Sequence, residues 1–218
     1  MCDKRVSGAE ERYKRMPEHA GESIKLPGQE YESGISVEEA LLKRRSVRDF
    51  KDISLSLAEV SQVLWAAQGR TKLRGMRTIP SAGALYPLEL YVVAGNVEAL
   101  PAGVYKYRPD SHELTSIVKG DKRGDLCSAA LGQSSVRKAA AVIVLSGVYK
   151  RTTTKYGERG IRYVHMEAGH AAQNVYLQTV PLRLGTVVIG AFRDEEVAKV
   201  LNMPDGETPL YLMPVGKI

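Results

Sequence analysis

From residue 36 onward the chain alternates stretches with a helical period and stretches with a strand period. Ser36-Val37-Glu38-Glu39 has the form of a capping box, in which the serine and glutamate satisfy free N–H groups at a helix start. Val37, Ala40, Leu41 and Arg44 share one face, so the pattern predicts a helix to about Arg45. A second box, Ser56-Leu57-Ala58-Glu59, opens another helix whose apolar stripe is Leu57, Val60, Val63, Leu64 and Ala67, with Gly69 as its stop. Leu88 to Ala94 is dense in apolar and β-branched residues and reads as a strand. Val104 to Tyr107 alternates, Pro109-Asp110-Ser111 turns, and Leu114 to Val118 alternates back, which predicts a hairpin.

Asp121 to Leu131 reads as a helix. Ala139 to Val148 is a continuous apolar run, as expected of a central strand covered on both faces. The longest helical pattern spans Gly160 to Val180, with Val164, Ala168, Ala171, Ala172 and Val175 recurring at three and four, and Pro181 ends or kinks it. Thr186 to Ile189 is β-branched, Asp194 to Leu201 is a short helix, and Pro209 to Val215 is a last strand. The order is α, α, β, β, β, α, β, α, β, α, β, with no repeat and no linker. The expectation is one α+β domain over residues 35–218. Residues 1–34 are polar and read as an N-terminal arm with a short helix near Ala9 to Arg15, suited to wrapping a partner subunit.

Composition narrows the chemistry. The 218 residues carry a net charge of +6 and only two cysteines, Cys2 and Cys127, so a disulfide framework or a cysteine zinc site is excluded. No run of about 18 apolar residues predicts a membrane span, and the N-terminus has no apolar signal region, so a cytoplasmic protein is expected. The positive charge is local. Lys43 to Lys51 nets +4, Gly69 to Pro80 adds Arg70, Lys72, Arg74 and Arg77 without an acid, and the remainder is slightly acidic. Such clusters suit an anion site.

Three short motifs carry candidate chemistry. Arg44-Arg45-Ser46-Val47-Arg48 places three guanidiniums and a hydroxyl within five residues, either a fork for a phosphate or carboxylate or cations complementing a helix C-terminus. Pro80-Ser81-Ala82-Gly83-Ala84-Leu85-Tyr86-Pro87 is either a surface turn or a backbone that approaches a flat ligand closely. Val187 to Phe192 is an apolar stretch ending in Gly190-Ala191, against which a ring can lie.

Taken in order, RRSVRDF, PSAGALYPLELYVV, GVYKY, KYGERGIRYVHMEAGHAAQNVYLQ, VVIGAF and PLYLMPVG resemble the FMN-dependent nitroreductase superfamily over about residues 35–218. Within it the chain is most similar to the branch with the SagB-type peptide azoline dehydrogenases. The resemblance implies a nitroreductase-like α+β fold, a mixed, mainly antiparallel sheet flanked by helices, in a homodimer that shares its flavin sites. It implies that Arg44, Arg45, Ser46 and Arg48 meet the FMN phosphate and ring edge. Pro80, Ser81, Ala82, Gly83 and Leu85 would reach the flavin from the partner subunit. Val188, Ile189, Gly190 and Ala191 would lie beside the isoalloxazine, with Gly190-Ala191 where many nitroreductases have Glu-Gly. Lys217 would complete the phosphate clamp, and Gln133 would approach the flavin pocket.

The resemblance also makes Lys155-Tyr156 a candidate catalytic pair, since an ammonium favours the ionised form of a neighbouring phenol; the alternative is an exposed basic loop. Glu167, His170 and Asn174 share a helical stripe and read as a buried polar network, with His170 as acid or base the alternative. His19, His112 and His165 belong to no constellation and are expected at the surface, and neither cysteine is a nucleophile. The leading expectation is hydride transfer through FMN between NAD(P)H and a nitroaromatic or quinone. The first alternative is oxidation of azoline rings in peptides, although the chain is shorter than azoline dehydrogenases with an additional N-terminal region. A basic polyanion-binding module is a non-enzymatic alternative; with 6% aromatic residues no stacking platform is visible, so no nucleic-acid partner is expected.

Overall fold

The apolar run at 141–147 becomes the middle of the sheet. In the computed structural model, which describes residues 21–71 and 76–218, this strand pairs with a neighbour on each side and is buried along its whole length. The expected helix near Ala9 to Arg15, with Cys2, His19, Lys72 and Arg74, lies outside the described residues.

The strands are β1 (Ser23–Lys25), β2 (Leu88–Ala94), β3 (Gly103–Arg108), β4 (Glu113–Lys119), β5 (Ala141–Gly147), β6 (Leu184–Thr186) and β7 (Thr208–Lys217). They form one sheet in the order β1-β4-β3-β2-β5-β7-β6. Among the described residues each strand pairing is antiparallel, and parallel contact occurs only at the isolated bridges Ser46–Thr186 and Leu55–Val97. The helices are α1 (Val37–Lys43), α2 (Leu57–Gln68), α3 (Arg123–Ala129), α4 (Ser134–Lys138), α5 (Tyr149–Tyr156), α6 (Arg159–Thr179) and α7 (Asp194–Leu201).

Strand side chains alternate between two buried layers because successive Cβ atoms point to opposite faces. Leu88, Leu90, Val92, Ile143, Leu145, Met213 and Val215 pack with α2 and α6 through Val60, Leu64, Val164, Ala171 and Val175. Tyr91, Val93, Val142, Val144 and Leu212 pack on the other side with Leu126, Val136, Val197 and Leu201 of α3, α4 and α7. Each fully buried leucine contributes about 1.5–3 kcal/mol. Both capping serines work as read: Ser36 accepts from Glu39 N–H, and Ser56 and Glu59 make a reciprocal box.

Four elements differ from the pattern reading. β1, within the segment read as an arm, pairs with β4 at the sheet edge. α4 was not expected. α5 replaces the basic loop, although its threonines and lysines show no apolar stripe; packing against α6, including the edge-to-face Tyr156–Tyr163 contact at 5.3 Å, outweighs weak helix propensity. The last short strand closes at Thr186, and residues 187–189 continue as extended chain joined to Leu212 by two Ile189 backbone bonds of 2.9 Å.

Candidate functional site

The segment after α1 runs along the end of the sheet. Val47 N–H donates to Thr186 O at 2.8 Å, and Lys51 N–H donates to Lys217 O at 2.9 Å. This close approach requires glycine at 216, where a Cβ would stand 2.8 Å from the Phe50 side chain. Tyr176 of α6 then joins the first and third motifs. Its hydroxyl accepts from Val188 N–H at 2.9 Å and shares a hydrogen bond with the Ser46 hydroxyl, also at 2.9 Å. The Arg44 guanidinium sits 5.0 Å from the centre of the same ring.

Among the described residues, neither Arg44 nor Arg48 has an ion-pair partner, and Arg48 is exposed beside them. Arg45 turns away and donates to Leu42 O and Arg44 O. Lys217 pairs with Glu59, the glutamate of the α2 capping box. The Thr186 hydroxyl is buried beneath this corner without a hydrogen-bond partner. Gln133 braces the third motif by donating to Ala191 O at 2.8 Å and to Ala130 O at 3.0 Å. Gly190 and Ala191 are exposed, so the main chain there is open to a ligand.

The second motif makes a 3-10 turn over Ala82–Ala84, entered from exposed Pro80. Gly83 has φ +62°, a conformation favouring glycine, and half-buried Leu85 follows. The Ser81 hydroxyl accepts from Tyr86 N–H at 2.9 Å, and Ala82 N–H donates to Glu167 Oε1 at 2.9 Å. Burial raises the Glu167 pKa, opposed by the Ala82 N–H, Ser81, His170 and Arg77; its Oε2 has no hydrogen-bond partner among the described residues. Lys155 and Tyr156 converge on the turn. A Cβ at Gly83 would lie 2.8 Å from Tyr156 Oη and 2.9 Å from Lys155 Nζ. The expected polar stripe divides: Glu167 holds this turn, and Asn174 donates to Ala66 O at 3.0 Å.

These two halves lie on opposite flanks of α6. Glu167 and Tyr176 are nine residues apart, about two and a half helical turns, so their side chains leave in opposite directions. Tyr163, Glu167 and Asn174 share the second-motif flank, whereas His165 and Tyr176 share the flank of the first and third motifs.

A buried ionic network, not expected from the sequence, ties the second-motif flank to the sheet. Lys106 pairs with Glu207 and with Glu89 at 3.3 Å, and Arg151 of α5 also pairs with Glu89. Tyr91 donates to Glu207 at 2.6 Å, Ser146 donates at 3.2 Å, and Arg151 donates to Tyr86 O at 3.0 Å. Burial alone would raise the Glu89 pKa, but Lys106 and Arg151 together hold it below the usual carboxylate range. Burial and then Glu207 push the Tyr91 phenol up. The available signal was a glutamate interrupting the apolar run Leu88-Glu89-Leu90 and a lysine within Tyr105-Lys106-Tyr107. Of the histidines expected at the surface, His165 is there and His112 is not. His112 is half-buried and bonded to Ser61 Oγ and Tyr107 Oη, both at 2.8 Å, and exposed His165 forms a 2.6 Å hydrogen bond with Tyr149.

Among the described residues no three potential metal ligands gather, and no helix is long and apolar enough to cross a membrane. Comparison with known proteins places this geometry in context. Residues 41–217 match the model of the nitroreductase family. A protein of Methanocaldococcus jannaschii provisionally named a nitroreductase, MJ1384, is 49% identical over 84% of this chain and 91% of its own. The microcin B17-processing protein McbC of Escherichia coli is 32% identical over 58% of this chain and 48% of its own. A crystal structure from Anabaena variabilis, likewise described provisionally as a nitroreductase, superposes with a TM-score of 0.80 and 32% identity, covering 90% of this chain and 42% of that one. The chain thus spans less than half the length of McbC and of the Anabaena protein.

Proposed function

The chain belongs to the nitroreductase family of oxidoreductases, and on that premise we propose that it binds FMN and transfers hydride between NAD(P)H and a nitroaromatic, quinone or similar acceptor. The observation that carries this reading is the Tyr176 junction, which brings Arg44, Ser46 and Val188 to one corner. The residues there fit the cofactor. A phosphomonoester carries close to two negative charges and is best met by guanidiniums and a hydroxyl, and Arg44 and Arg48 pair with no carboxylate among the described residues. Exposed main chain at Gly190 and Ala191, backed by Ile189 and steadied by Gln133, suits a flat ring. Arg45 and Lys217 add positive charge at the same end, Lys217 by exchanging Glu59 for phosphate.

When bound, FMN supplies the hydride-accepting and hydride-donating centre. Arg44, Ser46 and Arg48 would hold the phosphate, residues 188–191 would take the ring, and further residues would limit access of water. That last role belongs to Pro80, Ser81, Ala82, Gly83 and Leu85. The divergence of the motif flanks of α6 supports a homodimer whose site is completed by the second motif of the partner.

Anaerobic mixing of the FMN-loaded protein with NADH or NADPH tests the reading: the visible flavin band bleaches within seconds. A colourless protein that cannot be reconstituted with FMN overturns it. The convergence of Lys155 and Tyr156 on Gly83, with the likeness to McbC, favours a second reading, an azoline dehydrogenase in which this pair removes the ring proton. Bleaching by an azoline peptide and not by NAD(P)H would select it.

A further inference from the structure

The Tyr149–His165 pair lies on the α6 flank that carries Tyr176, away from Lys155 and Tyr156. The two residues border a cavity of about 260 Å³ together with Gly190, Phe192, Asp194, Thr208 and Tyr211. Gly190 belongs to the motif read above as the ring-facing main chain, so the cavity opens where a substrate beside the flavin would sit. The side chains meet edge to face, ring centres 5.5 Å apart, and share a hydrogen bond of 2.6 Å between Tyr149 Oη and His165 Nε2. Tyr149 is half-buried and His165 exposed, so the phenol faces the cavity region while the imidazole can exchange protons with solvent.

We propose that Tyr149 and His165 form a proton-handling dyad for the substrate bound beside Gly190, separate from the Lys155–Tyr156 pair. This rests on the flavin reading. A two-electron reduction of an acceptor adds one hydride, which carries both electrons and comes ultimately from NAD(P)H, to one atom. One proton must reach its neighbour. Tyr149 gives that proton and is refilled by His165, which is reprotonated from water; in the oxidative direction the same path runs backwards. Burial, and then the Asp194 carboxylate, keeps Tyr149 protonated over the working range. The charged and titratable groups around the dyad are Asp194 from α7, Tyr211 from β7, Arg162 one turn away on α6 and Lys150 beside Tyr149 on α5. In the proposed dimer, the dyad of one subunit and the Lys155–Tyr156 pair of the other would serve the same flavin.

Tyr149→Phe and His165→Gln test this in the FMN-loaded protein. Both variants retain FMN with affinity within twofold and are bleached by NAD(P)H at wild-type rate. Their kcat/KM for a quinone acceptor falls about 100-fold, in the range of general acid catalysis, and His165→Gln flattens its pH profile. A readout independent of turnover is the His165 ring signal in NMR, assigned by its loss in His165→Gln. Nitrobenzene added to the oxidised protein, which has no electrons to give, shifts that signal in wild type. Acceptor kcat/KM and pH profile within twofold of wild type, with no nitrobenzene-induced shift, would overturn the proposal and leave the dyad a staple between α5 and α6, read only as a lower Tm. Failure of the flavin reading instead shows in the wild-type protein, as absent flavin absorbance or no bleaching.

Discussion

The Ser46 hydroxyl and the Tyr176 phenol lie 2.9 Å apart although 130 residues separate them in the chain. With Val188 N–H donating to the same phenol, this contact makes the corner where the proposed phosphate and ring subsites meet. Tyr176→Phe keeps the ring under Arg44 but leaves two hydrogen-bonding groups without their partner, at about 1 kcal/mol each. The FMN dissociation constant is expected to rise roughly tenfold, read by quenching of flavin fluorescence. An unchanged constant would remove Tyr176 from the account.

The guanidiniums should act through the anion. Arg44→Ala and Arg48→Ala each remove a charge-assisted bond worth about 1.5–3 kcal/mol, so FMN retention falls by about 10- to 100-fold per substitution. Lys155→Ala, on the other flank of α6, leaves FMN affinity unchanged while lowering turnover. Equilibrium dialysis of the three variants checks the division, and loss of flavin from the lysine variant alone would reverse it.

Glu89 makes the fold acid-sensitive. Its folded pKa lies below the ordinary value of 4.5 because Lys106 and Arg151 outweigh burial, so its stabilising contribution is fully present above that value and is lost as pH falls through the lower, folded value. Glu89→Ala takes a buried carboxylate from Arg151 and from Lys106, which keeps Glu207, and costs up to about 3–5 kcal/mol, whereas Glu89→Gln mainly flattens the acid limb of stability. Urea unfolding from pH 3 to 7 reads both effects.

Glu167 has the opposite sign. Burial raises its pKa above 4.5, so the folded chain binds this proton more tightly, and that advantage, present below 4.5, disappears as pH rises through the raised value. Glu167→Gln keeps the group neutral and can still accept from Ala82 N–H. Its Tm relative to wild type should therefore be higher at pH 8 than at pH 4; equal differences at both values would contradict a raised pKa.

Gly83 couples backbone conformation to the Lys155–Tyr156 pair. Alanine there carries a left-handed strain of about 1 kcal/mol and a Cβ that displaces both polar tips. Turnover should drop more than Tm does, which parallel kinetic and melting measurements would show.

How much of this was legible in the sequence depends on range. The capping boxes, the β3–β4 hairpin and the central strand follow from local periodicity and were read within a few residues. The three motifs were found as patterns, and their spatial relation came only from the family resemblance, since no spacing shows it: Gly216 admits the 46–51 segment from a strand 166 residues later than Phe50. α5 lacks an apolar stripe and forms through packing on α6. Glu89 and Lys106 come from two strands and Glu207 from the turn just before a third, so no spacing announces their network. His165 showed no constellation because Tyr149 sits on another helix.

The divergence of Glu167 and Tyr176 on α6 makes the shared site the central claim, and mixed dimers test it most directly. One chain carries Arg44→Ala with Arg48→Ala, the other Lys155→Ala with Tyr156→Phe, and the mixed dimer is isolated through two different affinity tags. One of its two sites then has an intact clamp from the second chain and an intact second-motif flank from the first. About half the wild-type turnover per dimer is expected, although each parent homodimer is nearly inactive. A mixed dimer no more active than its parents would contradict it and place the whole site within one chain.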